Sequence, residues 1–214
     1  DGNLTERQND MLSLMQHAGY RMLNMINQSL DLYRMERGVY ELSPQMVDIL
    51  PILDNISGEL RGVIEASDLA LDVVVRGRPR QDGDVFAVRG EEMLLYTMLS
   101  NLIKNALEAT APGGVVTLGC DAAGQTVRFW VGNDAVIPRG VRMRIFNRSF
   151  STKGMGRGLG TYSIKLLTER YLGGTVDFHS SPETGTVFRV SLPRENGQDF
   201  FHEDQCALHQ DQDL

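Results

Sequence analysis

Cysteine is almost absent from this chain: Cys120 lies in an apolar, strand-like run and Cys206 in a polar tail, so neither a disulfide framework nor a zinc spacing can be read. A reducing, cytosol-like (cytoplasmic) compartment is the matching expectation. Long apolar runs are missing as well. Nothing approaches the roughly 20 residues of a membrane span, and the N-terminus carries neither a basic leader nor an apolar signal core. Direct membrane contact is therefore not expected of these residues, and anchoring of a longer protein is left open. Basic charge is in deficit: 21 Lys and Arg against 28 Asp and Glu give a formal net charge of −7. No cation cluster dense enough to neutralise a nucleic-acid backbone is visible, so nucleic acid is not an expected partner. A phosphate-bearing ligand of such a protein must lean on a metal ion.

What is present suffices for one good core with one appended element, given 214 residues of which 42% are hydrophobic and 23% charged. Between Leu4 and Arg37 there is no Pro, and apolar residues recur at steps of three and four in two adjoining stripes. Leu4, Met11, Met15, Ala18, Met22, Met25 and Leu32 form one, and Leu12, Leu23, Ile26, Leu30 and Tyr33 the other. A face that wide predicts a bundle helix, covered by a second chain or by a missing part of the bundle. The start at Asp1, without Met and close to a helix, points to a piece of something longer. Gly38 reads as a left-handed helix cap and Ser43-Pro44 as a turn. The expected organisation is thus a partial helical segment over 1–43, a globular domain over 44–193, and a disordered acidic tail over 194–214.

Within the domain, Asp48 is placed to cap a helix running to about Glu65, with Pro51 in its first turn. Leu69 to Arg76 and Val85 to Val88 read as strands, with Gly77 to Gly83 a turn-rich joint. An apolar helix follows over Glu91 to Thr110, then strands Val115 to Asp121 and Thr126 to Asn133. Ala135 to Arg157 lacks a steady period and carries five Arg and one Lys, which predicts a short helix near Arg139 to Phe146 and then a loop. Thr161 to Tyr171 returns to helix, and Val176 to Ser180 with Thr186 to Leu192 form a closing hairpin.

Two segments carry candidate chemistry. Asn101 and Asn105 lie one turn apart on one helix face, where amide oxygens can address one hard cation or, alternatively, cap neighbouring loops. Some fifty residues later comes a glycine string, Gly154, Gly156, Gly158 and Gly160, leading through Leu159 and Thr161 into a helix. Glycines there let backbone N–H groups approach phosphate oxygens at a helix start, or serve simply as a hinge. Gly-Lys-Ser/Thr is lacking and no strand leads directly into the string, which excludes a Walker loop and a dinucleotide fingerprint. Lys153 beside it reads as a point charge for a terminal phosphate or as an ordinary exposed lysine.

The order of these pieces is the informative part: the Asn-x-x-x-Asn helix, a strand pair ending in Asn133 with Ile137-Pro138, then Ile145-Phe146, Phe150 to Lys153, the glycine string and Gly185-Thr186. That succession, over roughly Val47 to Pro193, resembles the ATP-binding domain of sensor histidine kinases, within the wider GHKL (Bergerat-type) family shared with type II topoisomerases, Hsp90 and MutL. The N-terminal helix resembles the second helix of the kinase dimerisation hairpin. The resemblance implies an α+β fold, a two-layer α/β sandwich whose mixed sheet is covered by helices on one face, preceded by the bundle helix. It implies ATP and Mg²⁺ as cofactors, a homodimer through the N-terminal helix, and a response regulator receiver domain as partner. Asn105 would ligate Mg²⁺ and Asn101 would orient the terminal phosphate and the nucleophile. Asn133 would accept from the adenine amino group. Lys153 would touch the phosphates, wrapped by backbone amides of Gly156, Gly158, Leu159, Gly160 and Thr161. Phe146 and Phe150 would anchor the lid or serve as plain core.

The chain departs from that pattern in two places. Asn133-Asp134-Ala135 stands where the family keeps an Asp-x-Gly-x-Gly element, so either Asn133 or Asp134 takes the adenine contact. A His-Glu-x-x-x-Pro element is absent, and His17 lacks the following acid and Pro, so the phosphoacceptor is expected upstream and autophosphorylation of the fragment is not. Two other readings stay open: an ATP hydrolase, with Glu108 as the nearby acid, and a dimeric scaffold that has lost nucleotide binding.

Overall fold

The computed structural model describes residues 33–148 and 159–194, together with 5, 7–8, 11–12, 15–16, 19 and 30. The chain divides into two compact units, Asp1–Ser43 and Pro44–Leu214. In the first, the described residues from 7 to 37 are helical, and Gly38 follows with φ of 72°, the left-handed conformation in which glycine ends helices.

The second unit runs β1 (Gln45–Asp48), α1 (Ile49–Ala66), β2 (Ala70–Val75), β3 (Arg78–Pro79), β4 (Ala87–Gly90) and α2 (Glu92–Ala109). It continues through β5 (Val115–Ala123), β6 (Thr126–Asn133), α3 (Arg139–Arg142), α4 (Gly160–Leu166), a π-helical turn Leu167–Tyr171, β7 (Thr175–Ser181) and β8 (Gly185–Pro193). Six strands form one mixed sheet in the order β3-β2-β5-β6-β8-β7. Its one parallel pair is β2 with β5, and the chain between them contributes α2. A separate antiparallel ribbon joins β1 to β4.

Strand alternation explains the core. Val116, Leu118 and Cys120 of β5, Val127, Phe129 and Val131 of β6, and Val190 and Leu192 of β8 point to one face and are all buried. Against that face α2 lays Leu94, Leu95, Met98, Leu99, Leu102, Ile103 and Leu107, and α1 adds Ile49, Leu50, Leu53 and Ile56. Burial pushes the Cys120 thiol up to about 12, leaving it inert as a nucleophile. Asp48 caps α1 by accepting from Leu50 N at 3.2 Å, and the same oxygen accepts from Phe86 N at 3.0 Å, so one carboxylate starts the helix and pins the chain entering β4.

Three expectations need correction. The strand placed at Val85 to Val88 is β4, shifted to Ala87–Gly90, and it pairs with β1 outside the main sheet. The turn-rich joint contains a two-residue strand, β3, held by pairing with Val74 and Val75 and by an ion pair between Arg78 and Asp84 at 2.7 Å. The short helix near Arg139 to Phe146 is only Arg139–Arg142; beyond it, Arg144 N donates to Val141 O and Asn147 N to Arg144 O, both at 2.9 Å. Tight three-residue turns replace helix there because Gly140 and Val141 are poor helix formers and a single turn must bear the full cost of nucleation.

On the opposite face of the sheet Trp130 lies across Gly119, its cross-strand partner; a β-carbon on Gly119 would sit 2.1 Å from the indole. Replacing Gly119 by Ala is expected to destabilise the domain by about 1–3 kcal/mol through overpacking. Urea unfolding followed by the fluorescence of Trp130, the one tryptophan of the chain, measures this at the affected contact.

Candidate functional site

The apolar residues of α2 occupy the core face, which leaves Asn101 and Asn105 half-buried along its edge. Asn105 is the more informative of the two, because its Nδ2 is buried with no hydrogen-bond partner. A buried amide left unpaired costs about 1–3 kcal/mol, so this atom calls for a partner such as water or a ligand. Gly160, the first residue of α4, sits directly against this amide: a β-carbon built on it would lie 3.3 Å from both Oδ1 and Nδ2 of Asn105. The end of the glycine string and the asparagine helix, distant in sequence, thus meet.

Thr161 follows with its hydroxyl donated to the Ile145 carbonyl, which ties α4 to the turns after α3. As first-turn residues of α4, Gly160 and Thr161 have N–H groups without an intrahelical acceptor. Leu159 precedes them, partly exposed, in the N-cap position. Phe146 joins this end of the sheet through Phe178 and Phe188, ring centroids 5.9 and 6.2 Å away, and Lys165 of α4 lies over its ring. Lys153, Gly156, Gly158 and Phe150 lie outside the described residues.

Asn133 ends β6 on the same face as Phe129 and Val131, as alternation requires, and so faces α2. Its Nδ2 donates to Ala106 O at 2.9 Å and to Thr110 Oγ1 at 3.0 Å. With both hydrogens taken by the helix, the amide keeps its oxygen as an acceptor for another partner. Asp134 is exposed and its Oδ2 approaches the position above Gly114. The chain that follows is held by hydroxyls: Thr186 Oγ1 donates to Ala135 O at 2.7 Å and lies 2.8 Å from Ser180 Oγ, which accepts from Ile137 N at 2.9 Å. Gly185, at φ of 67°, passes so close to this segment that a β-carbon would fall 2.1 Å from Asn133 O. The sequence succession had singled out Gly185-Thr186 without a role; Thr110 and Ser180 were missed. Thr110 carried one usable signal, a helix-terminal hydroxyl residue just before Pro112-Gly113-Gly114.

No group of three or more His, Cys, Asp or Glu capable of holding a metal occurs among the described residues. A cation here would take the Asn105 amide oxygen as a protein ligand and draw the rest from water and from its own phosphate cargo, a pattern that suits Mg²⁺. The unpartnered Nδ2 of Asn105 is a donor and suits a phosphate oxygen beside such a cation, with Oδ1 left for the cation and the cradle at Gly160 leaving room for both. More than two turns before Asn105 on α2, Tyr96 is pushed up to about 12, first by burial and then by its hydrogen bonds to the Glu59 carboxylate of α1, both 2.7 Å. The contact joins two helices, and the Tyr96 hydroxyl keeps its proton across the working pH range.

Residues 90–196 match the family model for the histidine kinase-, DNA gyrase B- and HSP90-like ATPases. The chain belongs to this family, and its globular domain is a histidine kinase-type ATP-binding catalytic domain. A sensor-like histidine kinase of Rhizobium meliloti is 26% identical over 195 residues, covering 88% of this chain and 36% of that protein. The sensor protein DivL of Caulobacter vibrioides is 28% identical over 191 residues, 89% of this chain and 24% of the relative. The chain therefore spans about a quarter to a third of the length of these curated relatives. Among solved structures, full-length ShkA in complex with AMPPNP superposes with a TM-score of 0.67 at 25% identity, covering 90% of this chain and 40% of that one. The catalytic domain of histidine kinase ThkA gives a TM-score of 0.61 at 23% identity, covering 72% of this chain and 97% of that domain. No helix among the described residues is long and apolar enough to cross a membrane.

Because a β-carbon on Gly160 would lie 3.3 Å from the Asn105 amide, Gly160→Ala forces the two apart by a few tenths of an ångström. It is expected to weaken ATP binding about tenfold, roughly 1.4 kcal/mol, while the thermal unfolding midpoint stays within a few degrees of the parent. Calorimetric titration beside a thermal melt checks both halves.

Proposed function

We propose that this domain holds Mg-ATP with the base at the end of β6 and the phosphates between Asn105 and the start of α4, and that it transfers the γ-phosphate to a protein histidine. The seating of Gly160 on the Asn105 amide carries this reading, since it brings the two elements to one place and leaves a buried polar atom of Asn105 in want of a partner. In it, the Asn105 oxygen ligates the metal, which neutralises charge on the phosphates. Asn101, one turn earlier, orients the terminal phosphate and the incoming imidazole. The N–H groups of Gly156, Gly158, Leu159, Gly160 and Thr161 surround the phosphate oxygens, and Lys153 adds a point charge. Positioning and charge stabilisation of this kind carry most of phosphoryl transfer.

The nature of residue 101 favours transfer over hydrolysis. Activating water requires a general base, and an amide cannot accept the proton. A neutral imidazole nitrogen already offers its lone pair and needs no such help. The nearest acid along α2, Glu108, is exposed, one turn beyond Asn105 and two turns beyond Asn101. The AMPPNP held by ShkA supports the nucleotide assignment, and the crystallised complex of ThkA with the response regulator protein TrrA supports a receiver domain as the downstream partner. The two apolar stripes of the N-terminal segment support pairing with a second copy through that helix, in the cytoplasm.

Titration with a non-hydrolysable ATP analogue in Mg²⁺ is expected to give saturable heat, reduced at least about thirtyfold by Asn105→Ala and strongly reduced by EDTA. Absence of heat in the parent protein would leave a scaffold without nucleotide. Steady-state hydrolysis abolished by Glu108→Gln would instead make the domain an ATPase.

A further inference from the structure

The base end of the proposed site holds an asparagine whose amide can in principle present either its oxygen or its nitrogen outward, and the two faces read opposite base edges. An outward oxygen accepts from the C6 amino group of adenine. An outward NH₂ donates to the C6 carbonyl of hypoxanthine or guanine. Which face is shown is decided behind the residue, at the C-terminus of α2. There the Thr110 hydroxyl donates to Ala106 O at 2.7 Å, which turns its lone pairs toward Asn133; Asn133 Nδ2 then donates to Thr110 Oγ1 at 3.0 Å and to Ala106 O at 2.9 Å. Reversing the amide would set its oxygen against the Ala106 carbonyl and against a hydroxyl already committed elsewhere, forfeiting two hydrogen bonds at once. Thr110 is buried, so water does not readily replace the lost partner.

We infer that Thr110 is a positioning residue that locks the Asn133 amide oxygen-outward and thereby sets the preference of this domain for a purine with an amino group at C6. The inference rests on the proposed placement of the base at Asn133 and goes beyond it by naming what fixes the polarity of that contact. A charged acceptor at the strand end would need no such lock, because a carboxylate presents oxygen whichever way it turns. The neutral amide does need one, and the hydroxyl at the end of α2 supplies it. Ala106 follows Asn105 directly, so the lock is built on the same helical turn as the proposed metal ligand.

The test compares ATP with ITP, which differ only in the amino or carbonyl group at C6 and the protonation of N1. Dissociation constants for both are measured by calorimetry on the whole 214-residue chain, for the parent and for Thr110→Val and Thr110→Ser. Valine keeps the shape of threonine and removes the hydroxyl; serine keeps the hydroxyl. The parent is expected to prefer ATP. Thr110→Val is expected to lower the ATP-to-ITP preference about fivefold, in part by improving ITP binding, and Thr110→Ser to restore it. Loss of packing alone would weaken both nucleotides together and leave the ratio unchanged, and an unchanged ratio in Thr110→Val overturns the inference. Failure of the parent to bind ATP at all would instead remove the nucleotide site on which it rests, an outcome the parent titration reports separately.

Discussion

One carbonyl oxygen holds the two ends of the site in register. Ala106 O receives Thr110 N at 3.0 Å, Thr110 Oγ1 at 2.7 Å and Asn133 Nδ2 at 2.9 Å. The carbonyl keeps its intrahelical donor, the Thr110 N–H, and its remaining acceptor capacity takes the last residue of β6. The consequence is geometric. Asn105 and Ala106 are adjacent, so the turn that presents the proposed phosphate-side amide is the turn that orients the proposed base-side amide. Neither can shift along the helix axis without the other.

Close approach of backbone to side chain at Gly160, and of backbone to backbone at Gly185, does the remaining positioning. Gly160 lets α4 begin against the Asn105 amide, and Gly185 lets β8 start beneath the segment after Asn133, at distances no β-carbon would tolerate without displacement. Thr186 and Ser180 then satisfy Ala135 O and Ile137 N, so a stretch without regular structure acquires defined polar partners. A segment held in this way keeps its shape although it runs at the rim of the sheet, where water would otherwise compete for the same groups.

Family membership and the observed packing agree at the level of architecture. A mixed six-stranded sheet with α2 across β5 and β6 is what the histidine kinase catalytic domains superpose on. At the end of β6 this chain carries a neutral amide, Asn133, with no glycine directly after it, where the resemblance implies an Asp-x-Gly-x-Gly element. In the structure the Asn133 amide is bonded to Thr110, and the chain after it is held by the hydroxyls of Ser180 and Thr186. Overall acidity and the scarcity of basic groups fit a ligand whose charge is balanced mainly by a cation that travels with it.

Much of this was legible in the amino-acid order, because it depends on local periodicity. The apolar step of α2, the alternation of β5 and β6, the cap at Asp48 and the closing hairpin are each written in a few consecutive residues. The same holds for the succession of asparagine helix, strand end and glycine string that pointed to the family. Pairing partners were not legible: nothing in Ala87–Gly90 says that it joins β1 instead of the main sheet, since a strand's own pattern names a buried face and not a neighbour. Nor were the contacts between Gly160 and Asn105, or between Asn133 and the end of α2. By itself the sequence determined which elements form and which side chains carry chemistry; only the tertiary structure decided which of them meet and which way the Asn133 amide faces, because those outcomes depend on hydrogen bonds and close packing between segments that share no local pattern.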